Sequence, residues 1–256
     1  ILDYWVDIMD IHPEEFPDGV LLQELDRAEF IGPTEACTLR STGIDSSYDH
    51  FGYTFNRARF DDWLRERAES AGAEYRLKVR VTGVDSDPDV DNAVDEPRHV
   101  VSLANGDRVG ADHLILADGP QRTVTNGVLD DYLPADRQAS ERLASPKVNH
   151  IAYQEYRRFP EEVFEDLKAA IKFWWGVMPG HTAYPWVFPN DNQVCRVGLT
   201  MPIGLDIDAV EDREAYELLR PEDDSIPQGS TYIRRLLEWQ WGEAYDIESD
   251  FPLVED

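Results

Sequence analysis

Between Tyr184 and Thr200 the sequence reads YPWVFPNDNQVCRVGLT. Tyr184, Trp186 and Phe188 occupy every second position, and a β-strand has a period of two, so the three rings belong on one face of one strand. Asn190, Asp191 and Asn192 supply a turn, because their short polar side chains bond to nearby backbone and tolerate left-handed φ. A second strand follows and ends at Gly198. The segment is a β-hairpin, and its register decides which face of a sheet carries three aromatic rings. Such rings either fill the core of an antiparallel sheet or line a surface made for a ligand, and the hairpin alone leaves both open.

Charge limits the partners. The 256 residues hold 52 Asp and Glu against 24 Lys and Arg, a formal charge of −28, and Lys78, Lys147, Lys168 and Lys172 are the only lysines. The acids are spread along the whole chain, and 42% hydrophobic content does not fit a disordered one. Acid excess with so little lysine points to a folded protein from a halophilic cell, where molar salt shortens the Debye length to about 3 Å and screens self-repulsion. With no basic patch, nucleic acid is excluded as a partner. Cys37 and Cys195 fit neither a disulfide framework nor a zinc site. The six histidines form no ligand cluster, and His113 and His150 read as structural or surface groups, so no metal is expected. No apolar run reaches 18 residues and no signal peptide is visible, which gives a cytoplasmic expectation. The chain starts at Ile1, inside what reads as a folded segment, and is taken as an internal piece of a longer protein.

The pattern along the chain alternates. Within residues 1–25 the Pro and acid cluster reads as loop; ACTLRST and GYTFNR read as β. Phe60, Trp63, Leu64, Ala68 and Ala71 recur at helical spacing, with charges on the other face and Gly72 as the stop. YRLKVRVTGV reads as a strand, and RHVVSLANGDRVGADHLILADG as a hairpin turned at Asn105 and Gly106. LILADG reads as a buried strand of a parallel sheet with a ligand at its carboxyl end. A Pro- and acid-rich connection covers residues 133–146. VNHIAYQEYRRF then reads as a strand and EEVFEDLKAAIKFWW as a helix, with two more helices near 208–219 and 230–241.

Three of these segments, in order, resemble the geranylgeranyl reductase family of FAD-dependent oxidoreductases, whose fold is shared with aromatic hydroxylases. Arg57 in NRARFDDWL stands where the family has Arg-x-x-Phe/Leu-Asp-x-x-Leu opening a helix. LILADGPQRTV resembles Ala-Asp-Gly-x-x-Ser, with Thr123, one place later, for Ser. The hairpin resembles Tyr-x-Trp-x-Phe-Pro-x8-Gly, and its closing Gly-x-Gly is Gly198, Leu199 and Thr200 here. The resemblance assigns Arg57, Asp118 and Gly119 to FAD. It assigns Tyr184, Trp186, Phe188, Pro189 and Gly198 to a tunnel for an isoprenoid chain, and names no catalytic residue. Apart from it, Arg57 reads equally as a surface partner of Asp61, and Asp118-Gly119 as a plain turn.

The implied fold is α/β with mixed α+β character. Residues 1–145 would be part of an FAD-binding Rossmann-like domain with inserted strands, and 146–256 an antiparallel-sheet substrate domain with helices. The family's amino-terminal Gly-x-Gly-x-x-Gly segment and its later Gly-Asp segment are absent from these 256 residues, so the chain is expected to be inactive alone. The implied activity is reduction of double bonds in geranylgeranyl or related isoprenoid lipids by FAD. NADPH or another external donor would supply electrons, and the lipid substrate implies peripheral membrane contact. The alternatives are a flavin-dependent monooxygenase or halogenase of the same fold, a truncated non-catalytic lipid-binding module, and an α+β domain of other use. On the reductase reading, Arg57, Asp118 and Gly119 should border a cavity walled by the strand from Tyr184 to Phe188.

Overall fold

The computed structural model describes residues 1–44, 48, 50–86, 97–144 and 149–254. It is a mixed α/β structure and divides into two compact units, Ile1–Ala71 with His150–Asp256, and Gly72–Asn149. The expected boundary between residues 145 and 146 lies outside the described residues.

The first unit is built on a six-stranded sheet. Its strands are β2 (Arg27–Ile31), β3 (Ala36–Leu39), β8 (His150–Arg158), β9 (Ala170–Trp174), β10 (Tyr184–Pro189) and β11 (Val194–Pro202), in the order β3-β2-β9-β10-β11-β8. Only β2 and β9 run parallel. A separate ribbon pairs β1 (Leu21–Leu25) with β4 (Gly52–Phe55). One sheet face supplies Trp174, Val187, Cys195, Val197 and Leu199 to the core. Against it pack α5 (Glu161–Leu167), through Val163, Phe164 and Leu167, and α6 (Gly229–Trp241), through Tyr232, Ile233, Leu236 and Leu237. Ile247 of α7 (Ile247–Asp250) and Phe251 complete this core.

The helix expected from Phe60 is α2 (Arg57–Ser70). The Asn56 side chain accepts from the Arg59 N–H, and Gly72, at φ +98°, follows its end. Its apolar stripe meets Phe16, whose ring lies 4.6 Å from Trp63, but no residue of α2 is fully buried.

Several segments differ from the sequence pattern. Residues 1–25 are not loop throughout: α1 (Asp3–Met9), a 3-10 turn at Pro13–Glu15 and β1 form there. The Asp3 carboxylate accepts from the Tyr4 N–H, and β4 satisfies the β1 backbone. The stretch EEVFEDLKAAIKFWW is a helix only to Leu167; Ala170–Trp174 is a central strand, because β2 and β10 on either side take up its backbone groups. Near 208–219 there are two 3-10 turns, Ile207–Ala209 and Arg213–Ala215, interrupted by Asp212 at φ +49°.

In the second unit, β5 (Val81–Ser86), β6 (His99–Leu103) and β7 (Arg108–Ala111) form an antiparallel sheet, accompanied by α3 (Thr125–Tyr132) and α4 (Ala139–Arg142). The turn at Asn105 and Gly106 is present, with Gly106 at φ +90°. The strand expected from Tyr75 begins only at Val81, after Lys78 turns at φ +60°. The buried strand expected at LILADG is not formed: Leu114–Ala117 pairs with no strand among the described residues, and Ile115 is 89% exposed. An apolar run becomes a buried parallel strand only where neighbours pair with it and helices cover it. Here Leu114 and Leu116 instead line a cavity of about 310 Å³ with Val81, Val84, Val101 and Val124.

One ion pair holds the carboxyl-terminal part of the first unit. Asp223 accepts from both terminal nitrogens of Arg235 at 2.7 Å, and Arg235 also donates to the Leu218 carbonyl. Their side chains are 12% and 9% exposed. Asp223→Ala leaves a buried guanidinium without its partner and is expected to cost about 3–5 kcal/mol, measured by chemical denaturation, whereas loss of an exposed pair such as Arg57 with Asp61 should cost under about 1 kcal/mol.

Candidate functional site: an aromatic sheet face

The hairpin register fixes the site. Tyr184 pairs with Thr200, Trp186 with Gly198 and Phe188 with Arg196. Tyr184, Trp186 and Phe188 share the half-buried face, while Pro185, Val187 and Pro189 alternate onto the buried one. Pro189 therefore lies opposite the rings with which it was grouped; its carbonyl accepts from the Thr54 hydroxyl at 2.6 Å.

Rings from other strands extend this face. Phe173 of β9 pairs with Trp186 and lies 5.3 Å from Phe188 and 5.7 Å from Tyr184. Phe30 of β2 stacks on Phe173 at 5.1 Å, Trp175 stacks on Tyr184 at 5.2 Å, and Trp186 on Phe188 at 5.7 Å. Six rings thus form one connected surface. Offset and edge contacts of this kind contribute about 0.5–1.5 kcal/mol per pair beyond area burial. Trp174 and Trp175, adjacent in sequence, separate the two faces: Trp174 is 1% exposed in the core and Trp175 is 46% exposed.

Gly198 has a physical reason to be glycine. A Cβ there would stand 2.5 Å from the Trp186 ring, so the indole lies flat on the backbone of β11. In that position the Trp186 N–H is buried with no acceptor among the described residues. Two places further on, the Thr200 hydroxyl donates to the Ile151 carbonyl and closes the face toward β8.

The residues assigned to FAD fall in both units. Arg57, in the first, is exposed and donates to Asp61 at 2.7 Å. Asp118, in the second, caps α3: one oxygen accepts from the Val124 N–H at 2.7 Å and the Thr125 N–H at 3.0 Å, and the other from the Thr125 hydroxyl. These bonds hold the Asp118 carboxyl down at about 2, the Thr125 hydroxyl first and the Val124 N–H next. Gly119 takes φ +74°, and nothing lies within 4 Å of where its Cβ would be. Arg122 gathers the loop by donating to Pro120, Leu143 and Asn149. For a flavin nucleotide the fit is partial. Gly119 leaves its backbone open to close approach, while Asp118 and Arg57 would each have to exchange or share a present partner.

Among the described residues no group of three or more His, Cys, Asp and Glu could hold a metal ion, and no helix is long and apolar enough to cross a membrane.

No family model matches the chain. Among curated proteins it is similar to Protein FixC of Escherichia coli K12, 30% identical over 156 residues, which is 59% of this chain and 32% of the relative. It is also similar to Protein FixC of Salmonella typhi, 33% identical over 127 residues, 48% of this chain and 25% of the relative. The chain thus spans about a third or less of the length of these relatives. Among solved structures, a geranylgeranyl bacteriochlorophyll reductase-like protein from Thermoplasma acidophilum matches all of this chain over 53% of its own, with a TM-score of 0.63 at 20% identity. The flavin-dependent brominase Bmp2 matches 98% of this chain over 53% of its own, with a TM-score of 0.56 at 15% identity. The fold is therefore one found in flavoproteins.

Gly198→Ala should lift Trp186 off the sheet at a cost of about 1–3 kcal/mol, seen as a red-shifted tryptophan emission and a lower denaturation midpoint. Asp118→Ala should cost about 1 kcal/mol at neutral pH, as loss of a helix cap does. The Asp118 carboxyl is depressed below its ordinary 3.8, so its contribution is complete above about pH 4 and lost as pH falls through about 2. The gap in melting temperature between the variant and the unmodified protein should close across that window.

Proposed function

We propose that this chain is part of an FAD-dependent oxidoreductase that reduces double bonds of geranylgeranyl or related isoprenoid lipid chains. The observation that carries the reading is the connected face of six rings, which offers an apolar, largely non-titrating wall long enough to align a hydrocarbon chain. Each methylene transferred from water to such a wall gains about 0.8 kcal/mol. Binding at the wall therefore needs no polar anchor along the chain.

FAD, when bound, supplies the hydride chemistry, and an external reductant such as NADPH restores it. The residues of this chain bind, orient and exclude water. Trp186, fixed on Gly198, and Phe188 stacked on it hold the chain in plane; Phe173, Tyr184 and Trp175 extend the wall. On this reading the open backbone at Gly119 approaches the flavin nucleotide, with Asp118 as its polar partner. The lipid is reached by peripheral contact with a membrane.

The likeness to a brominase favours one second reading, a flavin-dependent halogenase acting on an aromatic ring held by the same face. The two readings differ in product. The enzyme of which this chain is a part, in concentrated KCl, is supplied with FAD, dithionite and a phospholipid bearing geranylgeranyl chains, and the lipid is examined by mass spectrometry. The reductase reading expects one added pair of hydrogens per reduced double bond, with a rate at least about tenfold lower in Trp186→Ala, the fold-change of about 1.4 kcal/mol. Unchanged lipid, together with bromination of a phenol when NADPH, oxygen and bromide are supplied, would replace it with the halogenase reading.

A further inference from the structure

Carboxylates outnumber cations in this chain by 52 to 24, and its arginines donate either to carbonyls, as Arg122 and Arg158 do, or to acids. Arg27, Arg65, Arg157 and Arg235 each hold one within ion-pair distance. Arg196 does not. It stands on β11, on the aromatic face beside Phe188, and no carboxylate among the described residues pairs with it. Its Nε is buried without an acceptor. Burial lowers its pKa, opposed only in part by the Tyr156 hydroxyl on the neighbouring strand. A half-buried cation with no carboxylate partner carries a desolvation cost that an anion would offset.

The guanidinium borders a cavity of about 200 Å³ between the ribbon and the sheet. Leu25, Phe55, Ile171 and Phe188 give it apolar walls; among the described residues Arg196 is the only charged side chain in the lining, and the Ile1 ammonium, which donates to the Tyr53 carbonyl, lies near it. The Thr54 hydroxyl, also in the lining, is already spent on the Pro189 carbonyl. The volume is below the roughly 300–1,000 Å³ of a pocket that encloses a whole small molecule. It suits one end of a longer one, and Phe188 carries the apolar wall on from the cavity to Trp186.

We propose that Arg196 seats the anionic head, phosphate or carboxylate, of an amphiphile whose hydrocarbon body lies along the ring face. A guanidinium offers either anion two parallel N–H donors, and the surrounding apolar walls favour an anion attached to carbon over a free, fully hydrated one. This deepens the lipid-wall reading by naming the charged end of the ligand. It rests on that reading for the hydrocarbon body and is independent of any flavin chemistry.

The test uses the unmodified chain without FAD, titrated with octyl phosphate below its micelle concentration, with octanol and with inorganic phosphate, and followed by calorimetry. Octyl phosphate is expected to bind at least about tenfold more tightly than either of the others, the size of one charge-assisted hydrogen-bonding pair. Arg196→Met should reduce its affinity to that of octanol, and Arg196→Lys should keep part of the difference. Equal affinity for octyl phosphate and octanol in the unmodified protein overturns the head-group seat while leaving the wall intact. Inorganic phosphate binding as tightly as octyl phosphate overturns the amphiphile and leaves a free-anion site. Binding of octyl phosphate that Arg196→Met does not weaken overturns the assignment to Arg196. The comparison of ligands needs no variant, so a misfolded Arg196→Met leaves the proposal open to refutation.

Discussion

The pairing of Trp186 with Gly198 is the constraint on which the first unit depends. An indole can lie flat across a strand only where the residue beneath it has no Cβ, and a Cβ at position 198 would stand 2.5 Å from the ring. A slip of one residue between β10 and β11 would set Trp186 against Val197 or Leu199 and turn every side chain of the strand to the opposite face. The glycine and the tryptophan thus select one register. That register sends Val187, Val197 and Leu199 into the core beneath α5 and α6 and leaves Tyr184, Trp186 and Phe188 on the other side. One contact decides the contents of both faces.

The rest of the ring surface follows from β9. Parallel pairing with β2 brings Phe30 beside Phe173, and antiparallel pairing with β10 brings Phe173 beside Trp186. The alternation that buries Trp174 under the sheet places Trp175 against Tyr184. On β11 the same face carries Arg196 beside Phe188, a cation next to a largely apolar wall. The second unit is organised by polar bonds in place of a large core. Asp118 closes the start of α3 and Arg122 ties the loop around it, while the valines of β5 and β6 face an open apolar cavity.

Local signals in the sequence located the elements whose side chains answer to one strand or one helix. The period of two in Tyr184, Trp186 and Phe188, the helical spacing and Gly72 stop of α2, and the Asn105-Gly106 turn were legible because each is decided by neighbours in the chain. The residues that complete the site were not. Phe30, Phe173 and Trp175 join it only through the order of strands in the sheet, and Ala170–Trp174 carries an apolar pattern too short to separate strand from helix. LILADG misled for a related reason: apolar composition permits a buried strand, but partners make one. Arg196 gave no signal, since its lack of a carboxylate is a property of the folded neighbourhood.

On the proposed reading the two faces of one sheet have different work, a dry core on one side and a ligand wall on the other. Trp174 and Trp175 sample the two sides from adjacent positions, and Trp186 marks the middle of the wall. Fluorine NMR of the protein labelled with 5-fluorotryptophan, its resonances assigned by single Trp→Phe variants, reads all three during titration with a geranylgeranyl-chain lipid. The resonances of Trp186 and Trp175 should move together and saturate while that of Trp174 stays still. Movement of Trp174 with Trp186 unmoved, or no movement of any, would contradict the assignment of the ring face as the ligand wall.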